Sequence, residues 1–251
     1  MPATATAEKP RADTAPAIEV QRRPLLRALT ALCQVVQTRT TIPVLAHIRV
    51  EIGPRGLVLT ATDMDRHHTI TLDGAEILDA PAHTAGACVP ARAFKAFLTA
   101  LDDDAVTLTH RPDDGRFQVT AGDSEAQLDT LPLADFPQEI SGGGRTLGRA
   151  TVDAAALRQA FSQVAYAVSA EETRYYLNGV RLEIADDGRL LAVATDGHRL
   201  AVRALAVDAD DFPACTVPRA VVQQLIAGCA RAAADARITL LAEAPPESLS
   251  T

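Results

Sequence analysis

Apolar positions along this chain alternate between two periods. A short run at 18–20 alternates as a strand does; then Leu25, Leu26, Leu29, Leu32, Val35 and Val36 recur at helical spacing from Pro24, a residue suited to a first helical turn. Thr38-Arg39-Thr40-Thr41-Ile42-Pro43 ends this helix in an extended loop, because a residue before proline avoids the helical region. The period then falls to two, predicting strands at 44–51, 56–62 and 67–72, with Gly53-Pro54-Arg55 turning the first pair. Val89-Pro90 opens a second helix, 90–101, which Asp102-Asp103-Asp104 stops. Alternating stretches at 105–110 and 115–120 flank Pro112-Asp113-Asp114-Gly115 as a hairpin, and a strand at 124–130 follows.

The same order then begins again. Leu157, Phe161, Val164, Ala165 and Val168 mark a helix, and strands are predicted at 176–184, 189–195 and 199–205. Asp186-Asp187-Gly188 turns the first pair of these, Val217-Pro218 opens a helix at 218–230, and a strand covers 237–242. Landmarks recur at nearly constant spacing. Leu26-Arg27 returns as Leu157-Arg158 (157 − 26 = 131), and Ala61-Thr62-Asp63 returns as Ala194-Thr195-Asp196 (194 − 61 = 133). Val89-Pro90 returns as Val217-Pro218 (217 − 89 = 128). Ordered landmarks of this kind predict an α+β tandem repeat, each copy two helices packed on antiparallel sheets.

The second copy is expected to be incomplete. The first runs on through strands at 116–120 and 125–130, whereas the sequence after Ile238 offers no counterpart to them. A sheet edge should therefore lie open, normally a liability. The expected domains are 18–137 and 149–251, joined by a linker at 138–148 around Gly142-Gly143-Gly144. Residues 1–17, rich in Ala, Thr and Pro, are expected to form a disordered extension.

Net charge is −8, which excludes a chain coated in basic charge but leaves room for a locally basic face. Arg22, Arg23, Arg27, Arg92, Lys95, Arg158 and Arg219 fall on or near the four helices, either as ordinary solvated charges or as such a face. Cys33, Cys88, Cys215 and Cys229 are far apart, without a C-x-x-C pair, and read as reduced thiols. No apolar run approaches 18 residues and no signal-peptide pattern is present, so a soluble, cytoplasmic protein without a membrane partner is expected.

Several motifs then carry a resemblance. They are Thr41-Ile42-Pro43-Val44-Leu45, Ala61-Thr62-Asp63, Val89-Pro90-Ala91-Arg92, Leu131-Pro132 with Asp135-Phe136-Pro137, Arg174-Tyr175-Tyr176-Leu177-Asn178-Gly179, the run from Val193 to Leu200, and Val217-Pro218-Arg219. In this order they resemble the bacterial DNA sliding clamps, the beta subunits of DNA polymerase III. The resemblance implies a ring of such domains, helices lining the hole and sheets outside. Family chains usually carry three domains and dimerise head to tail; this chain resembles a short form without the third.

The resemblance further implies a non-catalytic processivity factor that encircles or binds duplex DNA and tethers the replicative polymerase. The alternative is a truncated, clamp-derived interaction protein that binds DNA or clamp partners without closing a ring. Implied partners are double-stranded DNA, the polymerase III catalytic subunit, the clamp loader and further copies of the chain; no cofactor or metal is implied. Arg39, Arg92, Tyr175 and Tyr176 match DNA-contacting positions. Tyrosines suit that role by packing on sugar or base, although core packing at a strand start is the plainer use of either. Thr195, Gly197, His198, Arg199 and Leu200 match half of a pocket for a short hydrophobic peptide, the other half coming from the third domain in the family. Two departures stand out. Glu171 puts a carboxylate where a neutral DNA contact is expected, and Asp123-Ser124-Glu125-Ala126 reverses the charge of the family's edge strand and lacks its aromatic.

Enzyme readings are weaker. Asp63-Met64-Asp65-Arg66-His67-His68 holds carboxylates and imidazoles together, but consecutive strand residues diverge. Asp196 and His198 form a possible acid/base pair without a nucleophile pattern. Gly142-Gly143-Gly144 lacks the lysine and helix of a phosphate loop.

Overall fold

The computed structural model describes residues 15–64, 66–137, 145–230 and 236–243, and divides into two compact units between Gln138 and Glu139. Most of the predicted extension and of the predicted linker, with its three glycines, lies outside the described residues; Ala17, read as the end of the extension, opens a strand.

The first unit runs β1 (Ala17–Gln21), α1 (Arg22–Leu32), β2 (His47–Gly53), β3 (Gly56–Thr62), β4 (His67–Leu72), β5 (Ile77–Asp79), β6 (Ala85–Pro90), α2 (Ala91–Ala100), β7 (Ala105–Arg111), β8 (Arg116–Ala121) and β9 (Ser124–Asp129). Its strands form two antiparallel sheets, β5-β1-β7-β8-β9 and β4-β3-β2-β6. The second unit runs β10 (Thr146–Asp153), α3 (Ala154–Val164), β11 (Gly179–Ile184), β12 (Leu190–Thr195), β13 (Leu200–Leu205), β14 (Asp208–Asp210), β15 (Cys215–Pro218), α4 (Arg219–Cys229) and β16 (Arg237–Glu243). Its sheets are β14-β10-β16 and β13-β12-β11-β15. The four-stranded sheets have identical order in the two units. Among the described residues the other sheet keeps only the counterparts of β5, β1 and β7, so the second copy holds two strands fewer.

Each helix exists to cover a sheet. Along α1 the buried residues are Pro24, Leu25, Ala28, Leu29 and Leu32, and along α3 they are Ala154, Leu157, Ala160, Phe161 and Val164. This three-four spacing puts one stripe against the strands and leaves the arginines outside. On α2, Phe94 meets Phe117 of β8 edge to face, ring centroids 6.1 Å apart. The helix starts differ. Asp153 caps α3, its carboxylate accepting from Ala156 N at 2.8 Å. At α1 the equivalent Gln21 makes no cap; instead Arg22 donates to Asp103 O at 2.7 Å and Leu98 O at 3.2 Å, tying the start of α1 to the end of α2.

The pattern misplaced several boundaries. The first helix stops at Leu32, and Val35 and Val36 are buried in the turn that follows. The strand expected from 44 starts at His47, because Pro43–Ala46 is a 3-10 turn. The strand expected from 176 starts at Gly179, because Glu172–Leu177 is another. β10 begins inside the stretch read as linker. Gly148 is needed there, since a Cβ would lie 2.1 Å from Asp211 O. β5, β14 and β15 are too short to show a period, and β6 shows none because it buries three consecutive residues, Ala87, Cys88 and Val89. Among the described residues no helix is long and apolar enough to cross a membrane.

Two half-buried histidines, both in the first unit, make its stability sensitive to acid. His68 shares a face of β4 with Ile70 and Leu72, on the core side, and His110 lies on β7; burial pushes both imidazoles below the ordinary histidine value. A depressed histidine is neutral when folded, so its stabilising contribution is complete above the unfolded value near about 6.5 and is lost as pH falls below it. Hydrogen exchange at pH 5.5 should therefore open the first unit before the second. His68→Leu should narrow the difference between melting temperatures at pH 7.5 and 5.5.

Candidate functional site

The loop between β12 and β13 is built by two side chains. Thr195 Oγ1 accepts from Gly197 N at 3.1 Å and donates to Arg199 O at 2.8 Å. Asp196 Oδ1 accepts from the backbone N of His198 and of Arg199, each at 3.0 Å, while Oδ2 takes Arg199 Nε at 2.8 Å. These donors favour the carboxylate, led by the two backbone N–H groups, and hold Asp196 at about 2. The chain closes through Gly197 at φ 89°, a conformation that favours glycine. The Arg199 guanidinium also lies over the Tyr166 ring, 5.4 Å from its centroid. Gly197, His198, Arg199 and Leu200 are all exposed, Leu200 at 64%.

The second feature is the Glu172–Leu177 turn ahead of β11. Ser169, buried, donates its N–H to Leu177 O at 3.2 Å, and its hydroxyl accepts from Glu171 N at 3.2 Å. Asn178 Nδ2 donates to Glu171 O at 3.2 Å, and Asn178 O accepts from Arg219 N at 2.9 Å at the start of α4. The turn so pinned turns both tyrosines outward. Tyr175 is 79% and Tyr176 64% exposed, and their rings meet edge to face at 5.7 Å. Neither fills a core. Glu171 pairs with Arg174 at 3.1 Å, so part of its charge is compensated within the turn.

The remaining candidates lie in the first unit. Arg39, in the loop after α1, and Arg92, in the first turn of α2, are exposed. With Arg27, Arg158 and Arg219 they make no ion pair with other described residues. Arg22 is different, because its guanidinium is used by the α2 carbonyls; Arg23 faces Asp104 at 4.0 Å with both side chains exposed. On β9, an outer strand of the five-stranded sheet, Glu125 accepts from Gln127 at 3.0 Å.

Comparing the two units shows what is special about the second. The first repeats the loop chemistry: Asp63 Oδ1 accepts from Arg66 N at 2.8 Å, Oδ2 takes Arg66 Nε at 2.9 Å, and Met64 passes through φ 81° where Gly197 stands. An Arg-Glu pair also recurs on the central strand, Arg49 with Glu51 at 2.9 Å and Arg181 with Glu183 at 2.8 Å. The outward faces differ. In the first unit the register sets Thr60 beside Thr69, Val58 beside Thr71 and Thr62 beside His67. In the second it sets Val193 beside Val202, Leu191 beside Ala204 and Thr195 beside Leu200. One scaffold thus carries a largely threonine face, with Thr60 and Thr62 buried, in one unit, and in the other an aliphatic strip in which Leu191 and Val193 are half-buried and Leu200 and Val202 exposed.

These geometries bear on the enzyme readings. Asp63 and Asp196 are engaged by arginines and backbone N–H groups, as turn-closing groups rather than free acids or bases. His67 and His68 point to opposite faces of β4. Sequence reasoning missed Tyr166 and the strip of Leu191, Val193 and Val202. The alternation of Leu200 and Val202 against His67 and Thr69 was the available signal.

Comparison with known proteins gives a consistent answer. Residues 17–140 match the model of the N-terminal domain of the DNA polymerase III beta subunit, and residues 151–243 match its central domain. The chain is 35% identical to the beta sliding clamp of Caulobacter vibrioides over 213 residues, covering 82% of this chain and 55% of that protein. It is 33% identical to that of Pseudomonas putida over 208 residues, covering 82% and 54%. Among solved structures, a C. crescentus beta sliding clamp superposes with a TM-score of 0.80 at 32% identity, over 92% of this chain and 61% of that one. A Pseudomonas aeruginosa clamp bound to griselimycin gives 0.77 at 29%, over 90% and 59%. The chain spans about half the length of the curated relatives it matches.

The paired left-handed positions should respond unequally to substitution. Gly197→Ala places a Cβ at φ 89° and 3.0 Å from Arg174 Nη1, and should destabilise the second unit by about 1–2 kcal/mol. Met64→Gly relieves strain but adds chain freedom, and should stay within about 0.5 kcal/mol of the native chain in urea denaturation.

Proposed function

The chain belongs to the family of bacterial beta sliding clamps, the beta subunits of DNA polymerase III, and on that basis we propose that it is a non-catalytic, clamp-like processivity factor acting in the cytoplasm. It would hold duplex DNA through arginines on its helices and the Tyr175-Tyr176 turn, and hold a polymerase III subunit or clamp loader through the Thr195–Leu200 loop. The observation that carries this reading is the contrast between the units. A repeated scaffold keeps its turn and its Arg-Glu pair, yet exchanges a threonine face for the Leu191, Val193, Leu200 and Val202 strip in one copy only. Exposed aliphatic surface beside a polar, glycine-opened loop suits a short apolar peptide.

The DNA half of the proposal is supported by physical chemistry of a different kind. Net charge is −8, so affinity must come from local charge. Arg27, Arg39, Arg92, Arg158 and Arg219 are exposed and available to phosphates, and two exposed tyrosines offer flat contact to sugar without reading sequence. Contacts of this class are weak and salt-sensitive, as a sliding factor requires.

Two titrations test the halves separately. Duplex binding should weaken steeply between 50 and 200 mM salt, on the order expected for several phosphate contacts. It should fall about tenfold further in the Tyr175→Ala/Tyr176→Ala chain. A short apolar peptide from a polymerase III catalytic subunit should bind the native chain and lose at least about tenfold affinity with Leu200→Asp, with duplex binding unchanged. Retention on circular DNA that is lost on linearisation marks encirclement; side-on binding gives no such difference.

A further inference from the structure

The loop and the tyrosine turn share one side chain. Arg174 Nη1 donates to the Asp196 carbonyl oxygen at 3.4 Å, and Nε faces Glu171 Oε2 at 3.1 Å. Nη1 also lies 3.0 Å from where a Cβ would stand on Gly197, so the guanidinium approaches through the space this glycine leaves.

The first unit is an internal comparison. Laying α3 on α1 (154 − 22 = 132) aligns Arg174 with Ile42, which makes no side-chain hydrogen bond. The loop carbonyl there, Asp63 O, accepts instead from Gln37 Nε2 at 3.4 Å. Both units therefore capture this carbonyl from the segment that follows the first helix. In the second the captor is a charged group, and that group is next in sequence to the exposed tyrosines.

We propose that Arg174 is a positioning residue that couples the two features, holding the Thr195–Leu200 loop until duplex DNA reaches the tyrosine turn, then exchanging the Asp196 carbonyl for a phosphate. The proposal rests on the reading of Tyr175 and Tyr176 as DNA contacts. Its physical basis is a competition between acceptors. At 3.4 Å the bond to a neutral carbonyl is long, whereas a phosphate offers the guanidinium an anionic acceptor that its two-pronged donor geometry fits. Glu171 keeps the guanidinium local while itself repelling a phosphate, so Arg174 is the group left to meet it. Once Arg174 leaves, Thr195 and Asp196 still close the loop internally, but its link to the tyrosine turn is gone. By linkage, duplex then lowers affinity for a peptide on the loop, and peptide lowers affinity for duplex by the same factor.

Amide hydrogen exchange at Gly197, His198 and Arg199 tests this in the full chain, native and Arg174→Gln, with and without a duplex oligonucleotide at low salt. Arg174→Gln should speed exchange there several-fold while β12 stays protected, which also reports that the variant is folded. Duplex should speed the same amides several-fold in the native chain and add nothing in the variant. Arg174→Lys, which keeps the charge and loses the fork, should fall between. Unchanged loop exchange in Arg174→Gln overturns the proposal. A loop that loosens in the variant yet ignores duplex in the native chain also overturns it. If duplex affinity is then equally indifferent to Tyr175→Ala, the fault lies in the DNA reading and not in Arg174.

Discussion

A strand-to-strand connection that must pass through a left-handed residue is the constraint on which both units turn. The chain leaving β3 or β12 has few residues in which to reverse, and the reversal strands backbone N–H groups that need acceptors. One aspartate solves this in each unit. Its carboxylate gathers backbone N–H groups, those of His198 and Arg199 at Asp196 and that of Arg66 at Asp63, together with the side chain of the arginine that follows, and the neighbouring threonine hydroxyl takes another. The fold therefore spends its most acidic-looking positions on architecture. What remains exposed around the closed loop, a glycine, an imidazole and a leucine in the second unit, is free to meet a partner.

Duplication explains how such a surface arises without disturbing the core. The buried stripes of α1 and α3, the Arg-Glu pair on the central strand and the order of the four-stranded sheet are common to both units. Apart from that pair, outward positions carry none of those duties. A threonine ladder and an aliphatic strip are equally compatible with the pleat, because alternate residues face opposite sides. The second unit's apolar strip, its outward tyrosines and its Arg199-Tyr166 stack are all changes at positions the core does not police.

Charge follows the same division. An acidic chain keeps several helix arginines unpaired, and uses others, such as Arg22, to hold helix ends together. Counting basic residues from sequence treats these alike. Only their hydrogen bonds separate a guanidinium that closes the fold from one that is available to a phosphate.

Much of this was legible in the chain itself. Periodicity placed all four helices and most strands, and recurring landmarks such as Ala61-Thr62-Asp63 and Ala194-Thr195-Asp196 disclosed the duplication, because repeated packing demands repeated side chains at fixed spacing. The motif from Arg174 to Leu200 carried the family resemblance. β15 was not legible, since four residues cannot display a period, and neither was β6, whose buried residues are consecutive rather than alternating; the pairing partners of both lie far along the chain. Nor was the start of β11, where a proline-free 3-10 turn looks like a strand. Tertiary structure alone decided that both tyrosines face outward, that Asp196 closes a turn, and that Arg174 reaches the next loop. The Arg174 bond and the Asn178–Arg219 anchor of the tyrosine turn join residues far apart in the chain, which local sequence does not encode; Asp196 reaches only two and three residues ahead, but the backbone path that brings those donors to it is fixed by the strands on either side.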